Sequence, residues 1–262
     1  MTLSLLIAGL LGGCLSGLLG LGGGAALVPC FVLLGGMTQH RAQMMSLAVM
    51  LPPVGLPGLL AYLKSGVRLR WKVVGWMSGG FVVGLLAGAE LANRVSGRAL
   101  ALFFASFLAL LALREWRAGG TKAVQSTPLS VSEFAAPDGM HVPLAIGAIG
   151  GLWGGALGVG GSVIMIPLLM RFMRYARLEA QACTLALGLA PLGLPALMRY
   201  ARDHGPVPWG QVLVVAFAFT LASKFTGKLA TTLPPKTISR VFALVLVLVA
   251  SSILYRTAVL HA

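Results

Sequence analysis

The atoms best suited to chemistry in this chain lie in two short glycine clusters, Gly20-Leu21-Gly22-Gly23-Gly24 and Gly158-Val159-Gly160-Gly161-Ser162. Glycine is costly within a helix and favours a break. Each cluster is therefore expected to leave peptide N–H groups free just before a new half-helix, beginning near Ala25 in one copy and Val163 in the other. The positive end of such a half-helix favours an anion. Pro29 and Pro167 follow within about a turn of those starts, where a missing N–H costs little. Ser162 stands where the first cluster has Gly24, and adds a hydroxyl donor. A second use of the same glycines is close helix packing, which would space them by four and would not need the cluster.

A further set of polar residues follows each cluster. Gln43 and Ser46 in one copy, Gln181 and Thr184 in the other, lie three apart and so share a helical face. They could donate to oxyanion oxygens or form hydrogen bonds between helices; the spacing serves either use. The pattern PxGLP at Pro53–Pro57 and Pro191–Pro195 predicts a kink with freed carbonyls, and a hinge or ion contact is the alternative to a static bend. Lys224 is the one basic residue inside an apolar span. An ammonium there suits an anion pathway, or it reaches the interface as Lys228 does one turn on. Glu90 is expected to pair with Arg94 four residues later.

The elements that must hold these groups are apolar throughout. Of 262 residues 58% are hydrophobic and only 10% charged, with mean hydropathy +0.91, whereas soluble domains carry roughly 25% charged residues. The polar residues are brief interruptions between long apolar runs, so the surrounding solvent is lipid. A formal charge of +14 would point a soluble chain to nucleic acid. Here the basic residues flank apolar segments, as Lys64, Arg68, Arg70 and Lys72 do, and no basic stripe is interleaved with aromatics, so nucleic acid is excluded as a partner. Cys14, Cys30 and Cys183 form no CxxC pair and sit near no acidic cluster, so neither a metal site nor a cofactor is expected. The apolar start at Leu3 lacks a basic leader region and its glycine-rich end recurs in mid-chain, so it is expected to belong to the mature fold.

Displaced by 138 positions, the sequence aligns with itself without a gap over most of each half. Gly17, Gly20, Gly22, Gly23 and Pro29 fall on Gly155, Gly158, Gly160, Gly161 and Pro167. Pro53, Gly55, Leu56 and Pro57 fall on Pro191, Gly193, Leu194 and Pro195, and Tyr62 and Trp71 on Tyr200 and Trp209. The chain reads as two homologous transmembrane repeats, 1–113 and 142–262, joined by a solvated linker, 114–141. Each repeat holds one long apolar segment (Leu3 to Leu34; Val142 to Met173) and three of ordinary spanning length. These are Ala42 to Leu63, Trp71 to Ala92 and Ala99 to Leu113, then Ala180 to Tyr200, Trp209 to Leu229 and Ile238 to Leu254.

The long segment decides the topology. As one helix, Leu3 to Leu34 would measure about 48 Å against a hydrocarbon core of about 30 Å. If it breaks at the glycines and returns to the side it entered from, each half makes an odd number of crossings and the repeats are inverted. Lys64, Arg68, Arg70, Lys72, Arg114, Arg117, Lys122, Arg171, Arg174, Arg177, Lys228, Lys236 and Arg240 then share one face, and Arg41, Arg94, Arg98, Arg199, Arg202 and Arg256 the other. A single crossing instead divides the basic residues almost evenly, against the usual cytoplasmic excess. The expected fold class is thus all-α integral membrane, with two inverted repeats, each a re-entrant glycine-rich helix plus three transmembrane helices. Both termini are expected outside the cytoplasm.

Two copies of G-x-x-G-x-G-G-[GS]-x-x-x-x-P, each followed by a Ser46-Leu47 or Thr184-Leu185 step and a loop ending in glycine and tryptophan (GVRLRW, GPVPW), resemble the sulfite exporter TauE/SafE family of bacterial membrane permeases. The resemblance covers nearly the whole chain. Arg70 and Pro208 stand where that family commonly has an acid before the tryptophan. The resemblance implies a multi-pass protein of the bacterial inner membrane that moves sulfite, sulfonates or related sulfur-containing or carboxylate anions. Substrate is then expected between the two breaks near the midplane, contacted by Gly20, Gly22, Gly23, Gly24, Ala25, Gly158, Gly160, Gly161, Ser162 and Val163, with Gln43, Ser46, Gln181, Thr184 and Lys224 as further ligands. The rival classes are an intramembrane enzyme and a membrane assembly or thiol-handling protein. For the first, His40, His141, His204 and His261 lie in loops or at termini; for the second, Cys14 and Cys30 align with Leu152 and Leu168. The oligomeric state, homo-oligomer or monomer, is left open.

Overall fold

The computed structural model describes residues 2–19, 24–64, 66–118, 139–158 and 160–230, and within 240–255 all but 241, 242, 245 and 249. Most of the linker, 119–138, together with Gly20, Gly22 and Gly23, lies outside the described residues. Eleven helices are delimited: α1 (Thr2–Leu19), α2 (Gly24–Leu33), α3 (Gln39–Val49), α4 (Leu56–Lys64), α5 (Trp71–Arg94), α6 (Gly97–Ala118), α7 (His141–Leu157), α8 (Ser162–Phe172), α9 (Arg177–Leu187), α10 (Leu194–His204) and α11 (Trp209–Ala230). The described residues from 240 to 255 are also helical. The helix starts at Gly24, Gln39, Leu56 and Trp71 recur at Ser162, Arg177, Leu194 and Trp209, each 138 residues on.

The segments expected as kinked spans are divided outright. Pro52 and Pro53 have no N–H to continue α3, and the chain crosses 50–55 on short turns, with Leu51 donating to the Ala48 carbonyl and Leu56 to that of Pro53. Leu189 to Ala186 and Leu194 to Pro191 repeat this between α9 and α10. What the sequence presents as a bend is therefore a break, because the prolines (Pro52 and Pro53; Pro191) lack the N–H that would continue the helical ladder and the glycine beyond them (Gly55; Gly193) is a poor helix former.

Parallel pairs with glycine at the seam form the frame. Along α5 and α7, a Cβ added at Gly80, Gly84 or Gly88 would sit on the carbonyl oxygens of Leu144, Ala148 and Leu152, and one at Gly147, Gly151 or Gly155 on those of Met77, Phe81 and Leu85. Both sets advance by four residues in the same direction, so the two helices run parallel with their backbones in contact. The same holds for α1 and α11, where Gly9 meets Val215 and Gly13 meets Phe219. Packing by fours is thus a real use of glycine here, and it falls on glycines other than those of the clusters.

Two antiparallel rods pass through the frame. Going outward along α10, Gly193 lies by Leu47 and Leu51, Tyr200 by Gln43, and His204 by His40, so α10 runs against α3. Gly55 by Leu185 and Tyr62 by Gln181 set α4 against α9. Helix α3 is buried from Ala42 to Val49, which makes it a core element and not a surface one. Apolar side chains face outward elsewhere: Val83, Leu110, Phe217 and Leu248 stand 68% or more exposed. Among the described residues Trp71–Arg94 and Trp209–Thr226 are each long and apolar enough to cross a bilayer by length and composition. Among the described residues the build is all-helical and compatible with a membrane protein.

Gly84→Leu, which drives a side chain into the α7 backbone, is expected to cost about 1–3 kcal/mol or more. Gly79→Ala, at an open position, is expected to be neutral. Thermal unfolding in detergent separates them; equal melting temperatures would remove the seam.

Candidate functional site

The second glycine cluster is a tight reversal between α7 and α8. Gly158 (φ 69°), Gly160 (φ 79°) and Gly161 (φ 69°) all adopt the left-handed conformation that glycine takes without penalty. Space forbids a side chain as well: a Cβ at Gly158 would lie 2.9 Å from the Cα of Gln43, and one at Gly161 would meet the Gly150 carbonyl and, at 2.9 Å, the Phe81 ring. Helix α8 folds back along α7 and brings Met165 onto Gly150, while in the first half Leu27 comes onto Gly12. A straight continuation would hold such pairs about 20 Å apart.

The end of α7 leaves carbonyls without helical partners. Three carbonyls at this turn receive a donor from another helix. The Tyr200 hydroxyl donates to the Gly155 carbonyl at 2.8 Å, Gln43 Nε2 to Ala156 at 2.9 Å, and the Ser46 hydroxyl to Gly158 at 2.9 Å. Tyr200 also lies 3.2 Å from Gln43 Oε1, so one hydroxyl hydrogen is shared between two acceptors. Gln43 and Ser46 are fully buried. Their donors are occupied in holding the reversal.

At the start of α8, Ser162 is buried and its N–H turns back on the Gly160 carbonyl at 2.8 Å, while Ile164 and Met165 both donate to Gly161. Pro167 falls six residues into α8, inside the helix, so it cannot donate to the Val163 carbonyl; Pro29 is likewise interior to α2. Both prolines were expected within about a turn of starts near Ala25 and Val163; the helices begin one residue earlier, at Gly24 and Ser162, which puts each proline five residues past the start. Gly155 packs at Ala89, and α5 ends at Arg94, so the reversal is nearer that end of α5 than its middle.

In the other half Tyr62 donates to Gln181 Oε1 at 3.3 Å, the counterpart of Tyr200 with Gln43. The Thr184 hydroxyl donates within its own helix, to the Gln181 carbonyl at 2.9 Å, unlike Ser46. Gly24 opens α2 and Ala25 follows it; Gly20, Gly22 and Gly23, which these groups would face by the repeat, lie outside the described residues. Lys224 is exposed on α11 and is not brought to the buried polar groups.

A polar cluster that sequence reasoning missed closes the adjacent end of the molecule. Glu90 accepts from Arg94 at 3.0 Å, as expected, and also from Arg199 at 2.8 Å. Arg199 pairs with Asp203, Asn93 donates to Asp203 at 3.1 Å, and His204 lies 3.2 Å from Asn93 Oδ1. His40 contacts the Ala92 carbonyl at 3.0 Å and stacks on His204 with centroids 4.6 Å apart. These links bind the ends of α5 and α10 to the start of α3. The recurrence of Tyr62 as Tyr200 was a sequence signal for the tyrosines; of the ion cluster, the i,i+4 spacing signalled the Glu90–Arg94 pair and not the link to Arg199.

The profile of the family described as sulfite exporter TauE/SafE matches residues 5–253. The chain belongs to the sulfite exporter TauE/SafE family. Similar proteins include the probable membrane transporter protein YunE of Bacillus subtilis (strain 168), 25% identical with 96% of each chain covered. Another is a probable membrane transporter protein of Xylella fastidiosa (strain 9a5c), 26% identical with 92% of this chain and 90% of that one covered. No solved structure matches the chain. Membership places this TauE/SafE protein among membrane transport proteins.

For the TauE/SafE reversal, Gln43→Leu and Tyr200→Phe each strand a buried carbonyl and are each expected to cost about 1–3 kcal/mol. The double variant is expected to cost less than the two together, by about 0.5–3 kcal/mol, because the hydroxyl serves both partners. Melting temperatures of the four proteins give the cycle; strict additivity would mean that the two side chains act apart.

Proposed function

We propose that the chain is a multi-pass secondary transporter of small anions in the bacterial inner membrane, carrying sulfite, sulfonates or related sulfur-containing or carboxylate anions by alternating access. The supporting observation is the way the α7–α8 reversal is satisfied. Tyr200, Gln43 and Ser46 cover the carbonyl oxygens of Gly155, Ala156 and Gly158 at the end of α7, and the positive end of the α8 dipole lies at the same turn. A site of that polarity favours an anion over a cation. In this reading Gly158, Gly160, Gly161, Ser162 and Val163 approach the substrate, and Gly20, Gly22, Gly23, Gly24 and Ala25 form the matching half, with Gln181 and Thr184 behind it. The names of the relatives, probable membrane transporter proteins, agree with transport and do not choose the anion.

Inverted repeats are supported by direction. The equivalent rods α3–α4 and α9–α10 run antiparallel, and the contacts of α1 with α11 and of α3 with α10 return as α7 with α5 and α9 with α4. The Glu90–Arg199 pair bears on the same point, since repeats of one orientation would put those residues on opposite sides of the membrane. Alternating access would then come from one repeat moving against the other.

Flux of sulfite, thiosulfate, sulfoacetate and simple carboxylates into proteoliposomes tests the carrier. At least one anion is expected to move, with a membrane potential contributing about 2.3 kcal/mol per charge per 100 mV, and Gly160→Leu and Ser162→Leu are expected to stop it. Wild-type rates in those two variants would place the path elsewhere. A phosphatase reporter fused after Ala262 is expected to be active on the outer side; a cytoplasmic signal would end the inverted arrangement.

A further inference from the structure

Gln39 opens α3 one turn before Gln43 and shares the face that carries Gln43 and Ser46. It is 6% exposed, and among the described residues neither its Nε2 nor its Oε1 has a hydrogen-bond partner. Gln43, four residues on, has both ends of its amide engaged. Two amides of one type, adjacent on one face, therefore differ in kind. One is spent on structure and the other is held out of water with nothing to bind. Buried amides in folded proteins rarely stay so; they mark a place taken by water or ligand.

The surroundings favour a negatively charged guest. The residue before α3, Thr38, makes no side-chain bond to the first turn, so the positive end of that helix is left uncapped beside Gln39. At the equivalent position of the second half stands Arg177, the first residue of α9. A neutral amide in one half and a guanidinium in the other are both donors to oxyanions.

We infer that Gln39 is a substrate-binding and specificity-determining residue of the anion path, recognising an oxyanion that still carries a hydroxyl. The reason is its two-sided amide. Nε2 donates to an oxyanion oxygen, and Oε1 accepts from a hydroxyl on the same ligand, whereas a fully ionised anion satisfies half of the group. The monoanion of sulfite has both; acetate has no donor. This inference rests on the anion-carrier reading above.

Sulfite and acetate flux in proteoliposomes, with the melting temperature of each variant, is the test. Gln39→Leu is expected to raise the KM for sulfite about tenfold or more, as loss of hydrogen bonding to a substrate group does, and the KM for acetate, which uses only the Nε2 donor, by clearly less, with the maximal rates little changed. Its melting temperature is expected to stay or rise, because an unpaired amide gives way to an apolar group. Gln39→Glu, which puts like charge in the path, is expected to abolish flux of both anions in a folded protein. A wild-type KM for sulfite in Gln39→Leu overturns the inference, and so does a raised KM accompanied by a clear fall in melting temperature, which would make Gln39 a structural residue. Wild-type protein that moves neither anion overturns the carrier reading and this inference with it, a result distinct from an unaltered variant of a working carrier.

Discussion

A peptide group inside lipid has no water to turn to, so every break in a membrane helix must be paid for by a partner brought from elsewhere. The α7–α8 reversal depends on that rule more than on any apolar contact. Its glycines make the turn sterically possible, and they also leave Gly155, Ala156 and Gly158 with unbonded carbonyls in the core. Three side chains from two other helices answer them.

The placement of those side chains follows from the antiparallel rods. Helices α3 and α10 can deliver Gln43, Ser46 and Tyr200 to one turn because they cross it in opposite directions, side by side, with Gln43 and Tyr200 at the same level. The rods in turn are confined by the glycine seams. Where α5 lies on α7, and α1 on α11, the backbones touch, which leaves no lateral play. Both seams join a helix of one half to a helix of the other, so the halves interlock and do not pack as two separate bodies. Each half completes the frame around the partner's rod.

Symmetry of frame coexists with asymmetry of detail. Ser46 reaches across to the reversal whereas Thr184 bonds within its own helix. The His40–His204 stack and the ion cluster around Glu90 close one end. The ion pairs themselves are a third or more exposed and carry modest energy; their use is to hold the ends of three helices in register.

Much was legible in the residues alone. Glycine clusters in lipid-soluble runs declare a break because no other residue takes three left-handed positions in so short a span, and Gly158, Gly160 and Gly161 do so. The spacing of 138 recurs in the starts of four helices, Gly24, Gln39, Leu56 and Trp71, since local structure follows local sequence. What local sequence lacks is the neighbour. Gln39 and Gln43 are the same side chain one turn apart, and nothing in their order says which meets a carbonyl and which meets none among the described residues. Arg199 joins Glu90 from another helix, Lys224 points outward on a span that looked suited to the path, and two prolines divide a rod that pattern alone read as bent. Propensity and periodicity act over a few residues and so determined the breaks, the repeats and the lipid-facing class. Hydrogen-bond partnership acts across space, and the tertiary structure alone decided which polar groups are spent on the fold.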